Sequence, residues 1–253
     1  MSSTNSQIRK SDTSINPASS NSTNSTNSVS SDSTNSVNSV DSSMRSMAIR
    51  LNLLLMILEI IATIWMMSGF TLAGTTVTLS ASRLRMLKYF TVDSNIFMGV
   101  CAGICVVKQR KGEMGHGCYI LKLMGTVGVT LTMMVTIFFL VPTSDGPWYS
   151  LFSNSNFFFH LLNPALSILI FVCFERTQSI RFLQTLLGTV PMDLYAVFYV
   201  VNAAMHRVGD SVPSSCDWYG FLVLGFHSLS FLLPMFFGVT WLMSIVLWKL
   251  NRR

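Results

Sequence analysis

Long apolar blocks separated by short polar connections dominate the chain after residue 47. They fall at about 48–70, 89–107, 119–141, 157–174, 183–204 and 219–248. Each lies close to the roughly 20 residues that a helix needs to cross a bilayer. The pattern predicts an all-α integral membrane protein, a six-transmembrane-helix bundle over 48–253. Residues 1–47 break the pattern, with Ser, Asn and Thr in near-repeats such as Asn21-Ser-Thr-Asn24-Ser-Thr. Such a tract has too little apolar surface to offset its ordering entropy, so a disordered N-terminal tail is expected. It also lacks the charged start and early apolar core of a signal peptide.

Charge sharpens this picture. Only 11% of the residues are charged, where a soluble domain carries about a quarter. The net charge of +6 resides mostly in the connections between blocks, which marks membrane orientation and calls for no nucleic-acid partner. Eleven Lys and Arg fall on one side of the predicted spans and four on the other. Both termini are therefore expected in the cytoplasm, with the cell membrane as the location and membrane lipids as the partners. Arg83, Arg85 and Lys88, before the second span, dissent. The five cysteines show no CxxC or zinc spacing, and Cys101 and Cys105 read as buried thiols. Gly125, Thr126, Gly128 and Thr130 suit close helix packing.

Several polar residues sit inside the apolar blocks, where they are costly and normally face a bundle interior or cavity. The second span opens Tyr89-Phe90-Thr91-Val92-Asp93-Ser94-Asn95, and the fourth contains His160-Leu161-Leu162-Asn163-Pro164. In this topology both spans enter from the external side. Thr91 and His160, 69 positions apart, then lie at a matched depth of roughly 5 Å. Asn95 falls one turn below Thr91, and Asn163 one turn below His160. His227 is expected about 12 Å deep from the same side. Glu59 should face other helices, and Asp193 falls nearer the middle or inner half of the fifth span.

A hydroxyl and an imidazole at one depth suit a nucleophile and its general base. A third group would orient the ring, with Asp93, Asn95 and Asn163 as candidates, and Asn95 or Asn156 would supply an oxyanion donor. Beside this stands a plainer reading. A membrane threonine often bonds back to the carbonyl one turn earlier, and a histidine often ties two helices together. His160, His206 and His227 with Asp93 would satisfy zinc, but no pair has the local spacing that pre-forms a site. No metal and no cofactor are expected. Glu59 and Asp193 also fit an ion or proton path, although no internal repeat of the transporter kind is present.

Tyr89-Phe90-Thr91 with Asn95, and His160 opening a later helix, resemble a membrane family comprising the androgen-induced protein and the androgen-dependent TFPI-regulating protein. The chain is also similar to uncharacterised prokaryotic six-helix membrane proteins. The first resemblance implies six helices and a threonine hydrolase of fatty acid esters, with Thr91 as nucleophile and His160 as its partner. The substrate would be a lipid ester. Asp93, Ser94 and the N-terminal tail have no counterpart in that pattern.

Overall fold

The computed structural model describes residues 28–72, 83–112, 114–143, 146–175 and 180–252, with side chains from residue 42 onward. Six helices are long and apolar enough to cross a membrane. They are α1 (Ser28–Ser68), whose apolar part is Ser42–Ser68, α2 (Phe90–Lys111), α3 (His116–Thr143), α4 (Ser155–Phe174), α5 (Phe182–His206) and α6 (Phe226–Asn251). The described residues contain no β-strand, only an isolated bridge between Val208 and Ser211. The all-α, multi-pass architecture read from the sequence is thus observed.

Residues 42–252 form one compact unit, and the described residues 28–41 fall outside it. The first 27 residues of the expected tail lie outside the described residues. From Ser28 the chain is helical and runs into the first span. Extending an existing helix costs far less than nucleating one, so a polar tract can continue an apolar helix. The other notable shift is at the sixth span, expected from 219 but beginning at Phe226. Asp217 carboxylate oxygens accept the Phe221 N–H at 3.0 Å and the Leu222 N–H at 2.9 Å, closing tight turns there. Gly220 and Gly225 adopt φ +70° and +100°, a conformation that favours glycine and does not continue a helix.

Helix α3 is the centre of the bundle, touching α2, α4, α5 and α6. Residues Gly125 to Thr132 are all buried, so α3 is enclosed on every side. Gly125 and Gly128 admit α2 closely: a Cβ at Gly125 would meet Met98 Sδ at 2.8 Å, and one at Gly128 would meet Ser94 Cβ at 3.3 Å. Helix α1 joins by one narrow stripe. Its buried positions Ala48, Asn52, Leu55, Glu59, Ala62 and Met66 alternate by four and three residues, the spacing of a coiled-coil seam. Leu54, Ile57, Ile61 and Ile64 face outward, as lipid-facing residues would.

Local irregularities position the rest. Pro191 follows a 3₁₀ stretch, Phe182–Thr189, and precedes regular helix in α5. In α4, Phe158–Leu162 and Ile170–Phe174 are π-helical, a form that occurs mostly as short bulges, often at functional sites.

Candidate functional site: a polar seam between three helices

His160 is fully buried. Its Nδ1 lies 2.6 Å from the Leu151 carbonyl oxygen. A carbonyl only accepts, so Nδ1 carries the proton and Nε2 keeps its lone pair. Leu151 belongs to the 3₁₀ turn Trp148–Phe152 that precedes α4, and the Phe152 ring meets the imidazole edge-on at 6.4 Å. The ring is therefore oriented by a backbone carbonyl, and not by Asp93, Asn95 or Asn163.

The π-helical turn holding His160 opens the backbone as well. Asn163 N–H bonds the Phe158 carbonyl, five residues back. The next bond in that series would reach the Phe159 carbonyl from residue 164, which is Pro164 and has no N–H. Instead, Asn95 Nδ2 of α2 approaches the Phe159 carbonyl at 3.4 Å while donating to the Thr91 carbonyl at 2.7 Å. Asn95 thus links the turn of Thr91 to the turn of His160.

Thr91 departs from its neighbours in the bundle. Thr130, Thr132, Thr136 and Thr240 each donate their hydroxyl to the carbonyl four residues earlier. Among the described residues no such bond is made by Thr91, which is buried; its carbonyl accepts from Asn95 and from Ser94 at 3.2 Å. Its hydroxyl makes no bond to His160 either, since His160 Nε2 has no hydrogen-bond partner.

Glu59 of α1 completes the seam. A Cβ at Gly99, one turn along α2 from Asn95, would stand 3.0 Å from Glu59 Cβ. The Glu59 carboxyl neighbours the Asn163 carboxamide without reaching hydrogen-bond geometry. Ten buried side-chain polar atoms in the described residues lack a partner, and eight belong to Glu59, Asn95, Asn156, His160 and Asn163. Such atoms cost about 1–3 kcal/mol each when left unsatisfied. Their concentration on one three-helix interface marks a site, because ordinary packing scatters such atoms thinly. A groove of about 570 Å³ between α1 and α2, lined by Ile60, Ile64, Ile96, Val100 and Ile104, reaches Glu59 and Gly99.

Thr91, Asn95, His160 and Asn163 are thus on one interface, and Asp93 is not. Asp93 lines a separate groove of about 350 Å³ with Pro191, Leu194, Tyr195 and Phe198, because two residues along a helix turn the side chain to another face. Asp193 accepts from the Thr189 hydroxyl at 2.6 Å and stays within α5. His206 is exposed, with Nδ1 2.8 Å from the Asn202 carbonyl oxygen of its own helix. His227, expected deep, is the second residue of α6 and exposed; it pairs with Asp210 at 2.6 Å. The imidazole holds the Asp210 carboxyl below its ordinary range. The three histidines do not converge, and no metal-binding group of His, Cys, Asp or Glu occurs among the described residues.

A second polar cluster was not anticipated. Lys122 of α3, one of the eleven Lys and Arg counted on the cytoplasmic side, is fully buried. It lies 3.8 Å from Glu175 Oε2 and donates to Asn52 Oδ1. Glu175 Oε1 accepts from Asn52 Nδ2 at 2.6 Å and from Gln109 Nε2 at 3.0 Å. Asn251 Nδ2 of α6 donates to the Phe171 carbonyl at 2.5 Å, and its Oδ1 accepts from the Tyr119 hydroxyl. The first half of α1's apolar part, the start of α3 and the ends of α2, α4 and α6 are clasped together here. Between clasp and seam lies an apolar layer of Leu55, Met98, Ala102, Val129 and Ile170, all fully buried.

Comparison with known proteins finds no matching family model, no matching curated protein and no matching solved structure.

Proposed function

We propose that this multi-pass membrane protein is an intramembrane hydrolase of lipid esters, with Thr91 as nucleophile and His160 as general base. The observation that carries the reading is His160 itself: buried, fixed through Nδ1, and presenting an unpartnered Nε2 lone pair at the end of the bundle where the Thr91 hydroxyl is not bonded back to its own helix. In the proposed reaction Thr91 Oγ1 bonds to the ester carbonyl carbon as its proton passes to His160 Nε2. The tetrahedral oxyanion accepts N–H bonds from Asn156 and Asn163. The C–O bond to the leaving alcohol then breaks as His160 returns the proton to it. Water, deprotonated by the same nitrogen, cleaves the acyl-threonine and restores the hydroxyl. The apolar α1–α2 groove gives an acyl chain a lateral path to this seam. The residues Tyr89-Phe90-Thr91, Asn95 and His160 are those on which the resemblance to the threonine hydrolases rests. Placement in the cell membrane with both termini cytoplasmic belongs to the same proposal and rests on the basic-residue count.

A transporter is the second reading, favoured by Glu59 within the membrane. The apolar layer of Leu55, Met98, Ala102, Val129 and Ile170 argues against a continuous path in this conformation. The hydrolase is tested by labelling membranes with a lipid-like fluorophosphonate and mapping the modified residue, then assaying purified Thr91→Ala and His160→Ala on long-chain esters. Labelling at Thr91 and loss of at least 100-fold in rate for each variant are expected. The double variant should lose little more than either single one. Wild-type rates from purified Thr91→Ala would falsify the assignment.

A further inference from the structure

The seam holds a carboxylate that the proposed hydrolysis does not use. Glu59 is buried in the bundle, and neither carboxylate oxygen has a hydrogen-bond partner. Among the described residues it makes no ion pair: Lys122, the cation inside the bundle, is engaged by Glu175 and Asn52 across the apolar layer. A carboxylate without compensation is expensive in this setting. The helices packed against it, α2 and α4, carry further buried oxygens in the same condition. The Asn163 carboxamide is beside the carboxyl, and neither of its polar atoms has a hydrogen-bond partner. Asn95 Oδ1 is unpartnered because its Nδ2 is turned to the Thr91 and Phe159 carbonyls.

We infer that Glu59, Asn95 and Asn163 bind a monovalent alkali cation, sodium, at the α1–α2–α4 interface. The inference is independent of the hydrolase reading. Carboxylate and carbonyl oxygens are hard donors, which select hard cations over transition metals. One carboxylate supplies one negative charge, which a monovalent ion balances and a divalent ion overshoots. A proton on Glu59 would satisfy one oxygen pair and leave the Asn95 oxygen without a partner; a cation draws on all of them at once. The backbone is suited as well. Pro164 and the π-helical turn before it leave the Phe159 carbonyl without its helical donor and met only by Asn95 Nδ2 at 3.4 Å, and interrupted membrane helices supply sodium ligands through such carbonyls. Gly99 lets α1 and α2 approach until a Cβ would stand 3.0 Å from Glu59 Cβ. Asn156 and His160, with their own unpartnered atoms, follow along α4 toward the end of the bundle where that helix begins.

The test uses the full-length protein purified in detergent. Thermal unfolding is followed in sodium, potassium and N-methylglucamine chlorides at equal ionic strength, together with equilibrium binding of radioactive sodium. One sodium ion per chain and a saturable rise of the midpoint in sodium are expected. That rise should be about 5–10 °C when sodium is about 100-fold above its Kd. Glu59→Gln should keep a folded, monodisperse protein and lose both the bound ion and the rise, and Asn163→Ala should weaken binding at least tenfold. Greater stabilisation by potassium would assign the same oxygens to the larger ion and overturn the choice of sodium. Equal midpoints in all three salts, or unchanged sodium binding by Glu59→Gln, would overturn the site. So would a midpoint that follows pH alone, which would make Glu59 a proton site.

Discussion

Lys122→Met is the perturbation whose cost the structure defines best. Lys122 and Glu175 are both buried, with their charged atoms 3.8 Å apart. Removing one partner of a buried pair costs about 3–5 kcal/mol, because the other charge is left uncompensated. Here Glu175 would retain the amides of Asn52 and Gln109, at 2.6 and 3.0 Å, so the lower end, about 3 kcal/mol, is expected. For a domain of this size each kcal/mol moves the midpoint by about 2–4 °C, which gives a loss of about 6–12 °C. Replacing both charges, with Lys122→Met and Glu175→Leu together, should recover most of that loss, since an apolar pair of similar volume is often as stable as a buried ion pair. The measurement is a double-mutant cycle by thermal unfolding in one detergent, with near-ultraviolet circular dichroism to confirm tertiary structure. Single variants within about 1 kcal/mol of wild type, or a double variant whose loss equals the sum of the singles, would refute the clasp as a coupled pair.

Three other outcomes follow from the same packing. Gly99→Val should lower stability by about 1–3 kcal/mol by forcing α1 from α2, because its Cβ would meet Glu59 Cβ at 3.0 Å; a thermal midpoint equal to wild type would contradict the close approach. Cys105 and Cys118 have their sulfurs 3.4 Å apart, so mild oxidation with diamide should protect two thiols from maleimide–polyethylene glycol after denaturation, and neither Cys105→Ser nor Cys118→Ser should show that protection. In a eukaryotic host Asn21 and Asn24, both in Asn-x-Thr sequons, should remain unglycosylated if the tail is cytoplasmic; glycan at either position would reverse the proposed orientation.

The six helices were legible because span length and apolarity are properties of contiguous residues, and a bilayer leaves few alternatives for them. The sixth boundary was not. Residues 219–224 are nearly as apolar as a helix, and only the capping by Asp217 and the glycine conformations at 220 and 225 reveal turns there. The same limit displaced His227, whose expected depth rested on that boundary. Within the site, helical spacing correctly placed Asn95 one turn along from Thr91, whose carbonyl it bonds. The group on His160 Nδ1 was beyond reach, because a backbone carbonyl from a preceding turn leaves no mark in composition.

The missed clasp carries the more general lesson. Lys122 entered the charge count as one more cation at the membrane surface because it lies six residues into its helix. What assigns it inward is the sequence of α1. Asn52 and Glu59 stand seven residues apart in the stripe that also holds Ala48, Leu55, Ala62 and Met66, so one helix face presents a polar group at each of two depths with Leu55 between them. Each polar group on that face requires a counterpart on the opposing helices at its own level, since no solvent competes for it there. At the lower level the counterparts are Lys122, Gln109 and Glu175, which bond Asn52 and one another and leave only Gln109 Oε1 and Glu175 Oε2 without a hydrogen-bond partner, the latter facing Lys122 at 3.8 Å. At the upper level they are Asn95, Asn163 and His160, where Asn95 Oδ1, His160 Nε2 and both Asn163 side-chain atoms remain unpartnered. Two polar tiers on one scaffold, one mostly paired and one mostly open, separate a structural role from a functional one more sharply than residue type does. That contrast makes the upper tier, and not the buried ion pair, the place to look for chemistry.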